Sequence, residues 1–188
     1  MRIAISGVQC TGKTTLLNAI EQLDEFRDYK IIREVVRSMK NITINEYGDD
    51  ASQLAIADAH IRNLKYRDMI TDRCIMDCYA DGMYCYNHGT VSDGVIRRVK
   101  GMYNDIINEY DLIVYIKPEF ALVSDGTRSV NTAFRNEVLQ YFNDLVLDTA
   151  KKYHNVVTVS GSVRKRVDEF LDAYYEVAEN GHISSKNH

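Results

Sequence analysis

The chain has 188 residues, 45% apolar and 27% charged, and its 23 basic and 27 acidic side chains leave a net charge of −4. With one proline and ten glycines, it is excluded from collagen-like, proline-rich and disordered classes, and its length suits one globular domain. The mildly acidic balance excludes a non-specific nucleic-acid coat, which needs a dominant basic surface. No run approaches the about 18–20 consecutive apolar residues of a membrane span. The chain enters a glycine loop too soon for a signal-peptide core, so Cys10, Cys74, Cys78 and Cys85 read as reduced thiols in a cytoplasm.

Short apolar runs alternate with longer amphipathic stretches. Arg2 to Ser6 predicts a buried strand ending at Gly7, and Leu16, Leu17, Ile20 and Leu23 predict a helix from Thr14 to about Asp24. Lys30-Ile31-Ile32 predicts a second strand. Leu54, Ala57, Ile61 and Leu64 recur at intervals of three and four, predicting a helix from about Ala51 to Arg67. Asp68 to Asp72 predicts a third strand, followed by helices over about Ile75–Tyr86 and Asp93–Glu109. Asp111 to Ile116 is the clearest strand, halted by Pro118. A helix from about Thr132 to Tyr153 leads to the strand Asn155–Val159, and a last helix runs to about Val177. Residues 1–178 therefore read as one domain and 179–188 as a frayed tail. Five strands alternating with helices predict an α/β fold, a mostly parallel sheet covered on both faces, with ligands gathering at the strands' carboxyl ends.

Gly7-Val8-Gln9-Cys10-Thr11-Gly12-Lys13-Thr14 fits G-x-x-x-x-G-K-[ST], directly after one strand and before a helix. Backbone N–H groups in such a loop converge on phosphate oxygens, and the positive end of the following helix adds to that field. Gly7, Gln9, Cys10, Thr11, Gly12, Lys13, Thr14 and Thr15 are thus the candidate ATP-binding residues, with Lys13 on the terminal phosphates. Thr14 and Asp72 are the candidate oxygen ligands for Mg²⁺. The D-x-x-G and [NT]-K-x-D strings of a switch GTPase do not occur. A motor ATPase needs more sheet and sensors than this length supplies. A small-molecule kinase needs an acceptor pocket and an arginine-bearing lid.

Both have candidates. Asp72 and Arg73 leave the third strand, with Asp77 one turn further. Asp72 suits Mg²⁺ or an acceptor proton, and Arg73 suits a substrate phosphate. Glu34 and Arg37 leave the second strand in the same way, alongside Arg33. Glu34, Arg37, Arg73 and Asp77 form the candidate acceptor site. The polar run from Ser124 through Asp125, Gly126 and Arg128 to Arg135 follows the fourth strand, within a lid of about 118–136. Lys13, Asp72, Arg128 and Arg135 are the candidate catalytic residues.

Taken together, Gly7–Thr14, Arg33-Glu34-x-x-Arg37, Gln53, Asp72-Arg73-x-x-x-Asp77-x-x-Ala80, Asp125-Gly126-x-Arg128 and Val159-x-Gly161-x-x-x-x-Arg166-Val167 resemble one family. It is the small P-loop kinase-like ATPase family that includes the ribosylnicotinamide kinase domain of bacterial NAD-regulator proteins. The Asp72-Arg73 pair is also similar to that of thymidylate and deoxynucleoside kinases. Stand-alone members are often bacteriophage-encoded. The resemblance spans about residues 1–175 and implies a P-loop kinase-like three-layer α/β/α sandwich with a lid.

Cys74, Cys78, Cys85 and His88 share a helical face, but zinc sites favour paired C-x₂₋₄-C units on turns, and buried free cysteine is common. The expected function is ATP- and Mg²⁺-dependent phosphorylation of a nucleoside or nucleoside monophosphate. The alternatives are a nucleic-acid end or base kinase, against which the net charge weighs, and a regulatory ATP-binding module without an acceptor. No membrane partner is expected, and monomer and homodimer both stay open.

Overall fold

In the computed structural model, which describes residues 1–119, 131–153 and 155–185, five strands form one sheet. They are β1 (Arg2–Ser6), β2 (Lys30–Ile32), β3 (Met69–Asp72), β4 (Leu112–Ile116) and β5 (Val156–Val159). The order is β2-β3-β1-β4-β5 and every pairing is parallel. The helices are α1 (Lys13–Ile20), α2 (Asp50–Asn63), α3 (Ile75–Asn87), α4 (Asp93–Ile106), α5 (Thr132–Tyr153) and α6 (Val163–Ser185).

Strand alternation divides the core into two layers, because successive side chains leave a strand on opposite faces. Ile3, Ile5, Ile70, Leu112, Val114 and Ile116 pack with Leu16, Leu17 and Ile20 of α1 and Phe170 of α6. Ala4, Met69, Ile113 and Tyr115 face the other way, onto the side chains of α2, α3, α4 and α5. β1 and β4 are covered on both sides, which is why they read as continuous apolar runs.

Helix limits differ from the sequence pattern in four places. α1 ends at Ile20 rather than near Asp24, because the Leu23 N–H turns back onto the Ile20 carbonyl at 3.0 Å and the chain then tightens into a 3₁₀ turn over Asp24–Phe26. α2 ends at Asn63 rather than near Arg67, because the chain must turn through Tyr66, whose N–H bonds the Asn63 carbonyl, to enter β3. Its start is fixed by a reciprocal cap: Asp49 Oδ1 accepts from the Ser52 N–H and Ser52 Oγ accepts from the Asp49 N–H, both at 2.8 Å. α4 tightens into a 3₁₀ turn over Ile107–Glu109. α6 continues to Ser185, beyond the expected end at Val177; no proline interrupts it, and one glycine costs a helix only about 1 kcal/mol.

Register brings the site together. Ile5 pairs with Asp72 and Ser6 with Tyr115, so the exits of β1, β3 and β4 open on one edge, flanked by the exit of β2. Ligands of open parallel sheets bind at such an edge.

Candidate active site at the carboxyl edge of the sheet

The loop leaving β1 is held in a conformation few sequences permit. Gly7 has φ 142°, and a Cβ there would stand 2.7 Å from the Ile116 carbonyl oxygen. Gly12 (φ 89°) opens α1 from the left-handed region. Cys10 also takes a positive φ of 58°, a conformation that disfavours β-branched or bulky side chains. The Thr11 hydroxyl braces the turn by donating to the Val8 carbonyl at 3.1 Å.

Lys13 is buried, and its Nζ donates to the carbonyls of Gly7 at 2.7 Å and Val8 at 2.8 Å. Burial, helped by the nearby Arg73 charge, pushes its ammonium down from 10.5 to about 8, against the pull of Asp77, Asp72 and Glu34. The Thr14 hydroxyl donates to Asp72 Oδ2 at 2.6 Å. Asp72 is 1% exposed, and its Oδ1 has no hydrogen-bond partner among the described residues. A hydroxyl oxygen beside a buried carboxylate with a spare lone pair is a donor set that fits a hard, oxygen-seeking divalent cation. Gln9 is buried with its Nε2 unpartnered among the described residues, and Thr15 is exposed at the start of α1.

Arg73 leaves β3 in the left-handed region (φ 77°), a strain of about 1–3 kcal/mol for a residue with a side chain. Its N–H bonds the Ile5 carbonyl at 2.9 Å and its carbonyl accepts from the Thr71 hydroxyl at 2.9 Å, which fix the turn. The guanidinium meets Glu34 Oε1 at 2.6 Å through Nε, and Asp77 and Asp81 at 3.4 and 3.8 Å. Burial alone would lower its pKa, but the Glu34, Asp81, Asp77 and Asp72 carboxylates outweigh it and the net direction is up. Glu34 is 5% exposed and also accepts from Arg37 Nε at 3.0 Å. Glu34, Arg37, Arg73 and Asp77, proposed from separate stretches of sequence, thus form one connected network. Arg33 turns the other way, onto Asn18 at 2.5 Å and Glu21 of α1.

Asp77 serves its own fold closely. Its Oδ2 accepts from the Ser6 hydroxyl at 2.8 Å and the Cys74 N–H at 3.0 Å, tying the start of α3 to the end of β1. Behind Arg73 lies a cavity lined by Glu34, Ile44, Gln53, His60, Cys78 and Asp81, with a free volume of about 40 Å³. Asp81 and His60 were not singled out from sequence. Asp81 had a legible signal, standing four residues after Asp77 and eight after Arg73, on one face of α3. Burial raises its pKa to about 6 despite Arg73. His60, seven residues after Gln53 on α2, is 1% exposed, its Nδ1 unpartnered among the described residues. Burial pushes its pKa down to about 3, so the ring is neutral.

Arg135 lies buried in the first turns of α5; Arg128, with Asp125 and Gly126, lies outside the described residues, as does most of the expected lid. Cys74, Cys78 and Cys85 are buried free thiols, and His88 pairs with Glu137 at 2.9 Å. Among the described residues, no group of three or more His, Cys, Asp or Glu side chains is arranged to hold a metal. No helix there is long and apolar enough to cross a membrane.

Several solved structures share this fold. Deoxyadenosine kinase from M. mycoides, with dCMP and a flexible dCDP bound, superposes with a TM-score of 0.71 at 17% identity, covering 94% of this chain and all of that one. NadR in complex with NR superposes at 0.64 and 14% identity, covering 93% of this chain and half of that one. YorR from Bacillus subtilis, in complex with phosphorylated GDP, gives 0.57 and 14%, covering 97% and 98%. No curated protein matches in sequence. A family model described as an AAA domain matches residues 2–166, and by that match, on a P-loop kinase-like fold, the chain belongs to the AAA domain family.

Proposed function

We propose that the protein transfers the γ-phosphoryl group of ATP to a hydroxyl of an uncharged, nucleoside-type acceptor. The observation that carries this reading is Glu34, a buried carboxylate at the phosphate-loop edge that engages both candidate acceptor arginines. With Arg37 and Arg73 bound to Glu34, and Asp77 and Asp81 beside Arg73, a phosphate already on the acceptor would face more carboxylate than spare cation. A neutral nucleoside suits the pocket better than a monophosphate. Its interior, with Gln53, neutral His60 and the Cys78 thiol, offers uncharged hydrogen-bonding groups to a polar ring.

In this reading the phosphate loop binds ATP and Lys13 neutralises charge on the transferring group. Mg²⁺, held by Thr14 and through Asp72, would supply charge neutralisation on the donor phosphates. Glu34 accepts the acceptor's hydroxyl proton as the new O–P bond forms; the bond from γ-phosphorus to the bridging oxygen breaks, and ADP leaves. The deoxyadenosine kinase and NadR likenesses support a nucleoside-type kinase. Arg128 and Arg135 remain the proposed lid arginines.

A panel of nucleosides, their monophosphates and ribosylnicotinamide, incubated with ATP and Mg²⁺ and read by product mass, tests this. A nucleoside or ribosylnicotinamide should turn over, and Glu34→Gln should slow it by ~10²–10⁴. Preferential turnover of monophosphates would move Arg73 and Arg37 onto the acceptor phosphate. Phosphate gained only by oligonucleotides would make the protein a nucleic-acid kinase, and ATP hydrolysis indifferent to every acceptor would make it a regulatory module.

A further inference from the structure

Arg166, on the first turns of α6, is almost wholly buried, its side chain 3% exposed. Its Nη1 donates to the Thr11 carbonyl at 2.6 Å, across 155 residues of sequence, and Nη2 to Glu119 Oε2 at 2.5 Å. Glu119, just past β4, also accepts from the Gly161 N–H, at 3.0 Å through Oε1 and 2.8 Å through Oε2. Gly161 (φ 85°), just past β5, is itself in the left-handed region. One guanidinium and one carboxylate therefore join the phosphate loop to the exits of β4 and β5.

The Thr11 carbonyl belongs to the same peptide unit as the Gly12 N–H. That unit is trans and planar, so its N–H points opposite to its C=O. A cation fixed on the carbonyl sets which way the N–H faces and polarises it into a stronger donor. The Gly12 N–H is one of the loop N–H groups that such a loop turns toward phosphate, so a charge outside the loop acts on phosphate inside it. We infer that Arg166 is a positioning residue for the donor phosphates, aligned by Glu119, and that it acts through the Thr11–Gly12 peptide without touching ATP. The inference rests on the phosphate-loop reading above.

Arg166→Lys, Arg166→Ala and Glu119→Gln test it, through equilibrium binding of Mg·ADP, separate KM values for ATP and acceptor, and thermal unfolding. A lysine can reach one carbonyl but cannot bridge it to Glu119 with a planar fork. Arg166→Lys and Glu119→Gln should weaken Mg·ADP by about tenfold and raise the KM for ATP to match, with the acceptor KM unchanged; Arg166→Ala should exceed both. Restoration of Mg·ADP binding to folded Arg166→Ala by added guanidinium ion at non-denaturing concentration would support the mechanism directly. If Glu119→Gln and Arg166→Lys unfold at lower temperature yet bind Mg·ADP as the wild type does, the role is structural and the inference fails. If the wild type itself binds no Mg·ADP, the phosphate-loop reading falls first, a result distinct from unaltered binding in the variants.

Discussion

Two side chains of the candidate site carry opposite demands, and Lys13 shows the tension. In the folded protein its ammonium is buried and pushed from 10.5 to about 8, whereas in the unfolded chain it titrates normally. Between about pH 8 and 10.5 the unfolded state therefore binds more protons than the folded one, so this residue makes stability rise with pH across that window. The difference in urea midpoint between wild type and Lys13→Met should grow in favour of the wild type from pH 8 to 10; a difference independent of pH would show that the ammonium is not desolvated in the fold. The same charge is what the donor phosphates require, and folded Lys13→Ala should lose ~10²–10³ in transfer rate. Asp72 is the complementary case. Its buried Oδ1, unpartnered among the described residues, is tolerable where a cation arrives with the nucleotide, so Asp72→Asn should raise the Mg²⁺ concentration needed for half-maximal rate. An unchanged Mg²⁺ requirement would remove Asp72 from the metal site.

At the scale of elements, α3 is the part most tightly bound to the site, because Asp77 joins its first turn to β1 and meets Arg73. Asp77→Ala leaves the buried Cys74 N–H and Ser6 hydroxyl without their acceptor and removes one of the carboxylates around Arg73. The cost should be about 2–4 kcal/mol, a fall in Tm of roughly 5–15 °C for a chain of this size. Asp77→Asn, keeping an acceptor oxygen, should fall between; a Tm within a degree of wild type for the alanine variant would show the junction contributes nothing. The five strands, the βα alternation and the phosphate loop were legible because each follows from local pattern: apolar runs, helical spacing and two glycines at fixed offsets. The strand order was not, since β1 pairs with strands that begin 67 and 110 residues later, and no local signal encodes that choice. The site was half legible for the same reason. That Glu34 and Arg73 stand near one edge followed from their strands, but that Arg73 is bound by Glu34, and Arg33 by α1, depends on side chains meeting from separate elements.

For the whole molecule, the acceptor cavity's free volume of about 40 Å³ holds a few waters and no nucleoside, so binding requires its walls to move. The wall least embedded in helix is residues 39–49, which carries Ile44 and Asn45 into the cavity and takes positive φ at Asn41 and Asn45. Amide exchange in this segment should be fast without acceptor and slow at least severalfold with it, while α3 stays protected throughout; equal rates with and without a turned-over acceptor would place the opening elsewhere. The central position of β1 has one more consequence, for synthesis rather than catalysis. Its apolar run Ile3-Ala4-Ile5 is made well before its second neighbour, because that edge waits for Leu112. At about 5–20 residues per second, the ribosome leaves that edge open for roughly 5–20 s after β1 emerges. For those seconds the nascent β1 is an exposed strand in search of a neighbour, and fragments halted before Leu112 should be captured by chaperones or aggregate.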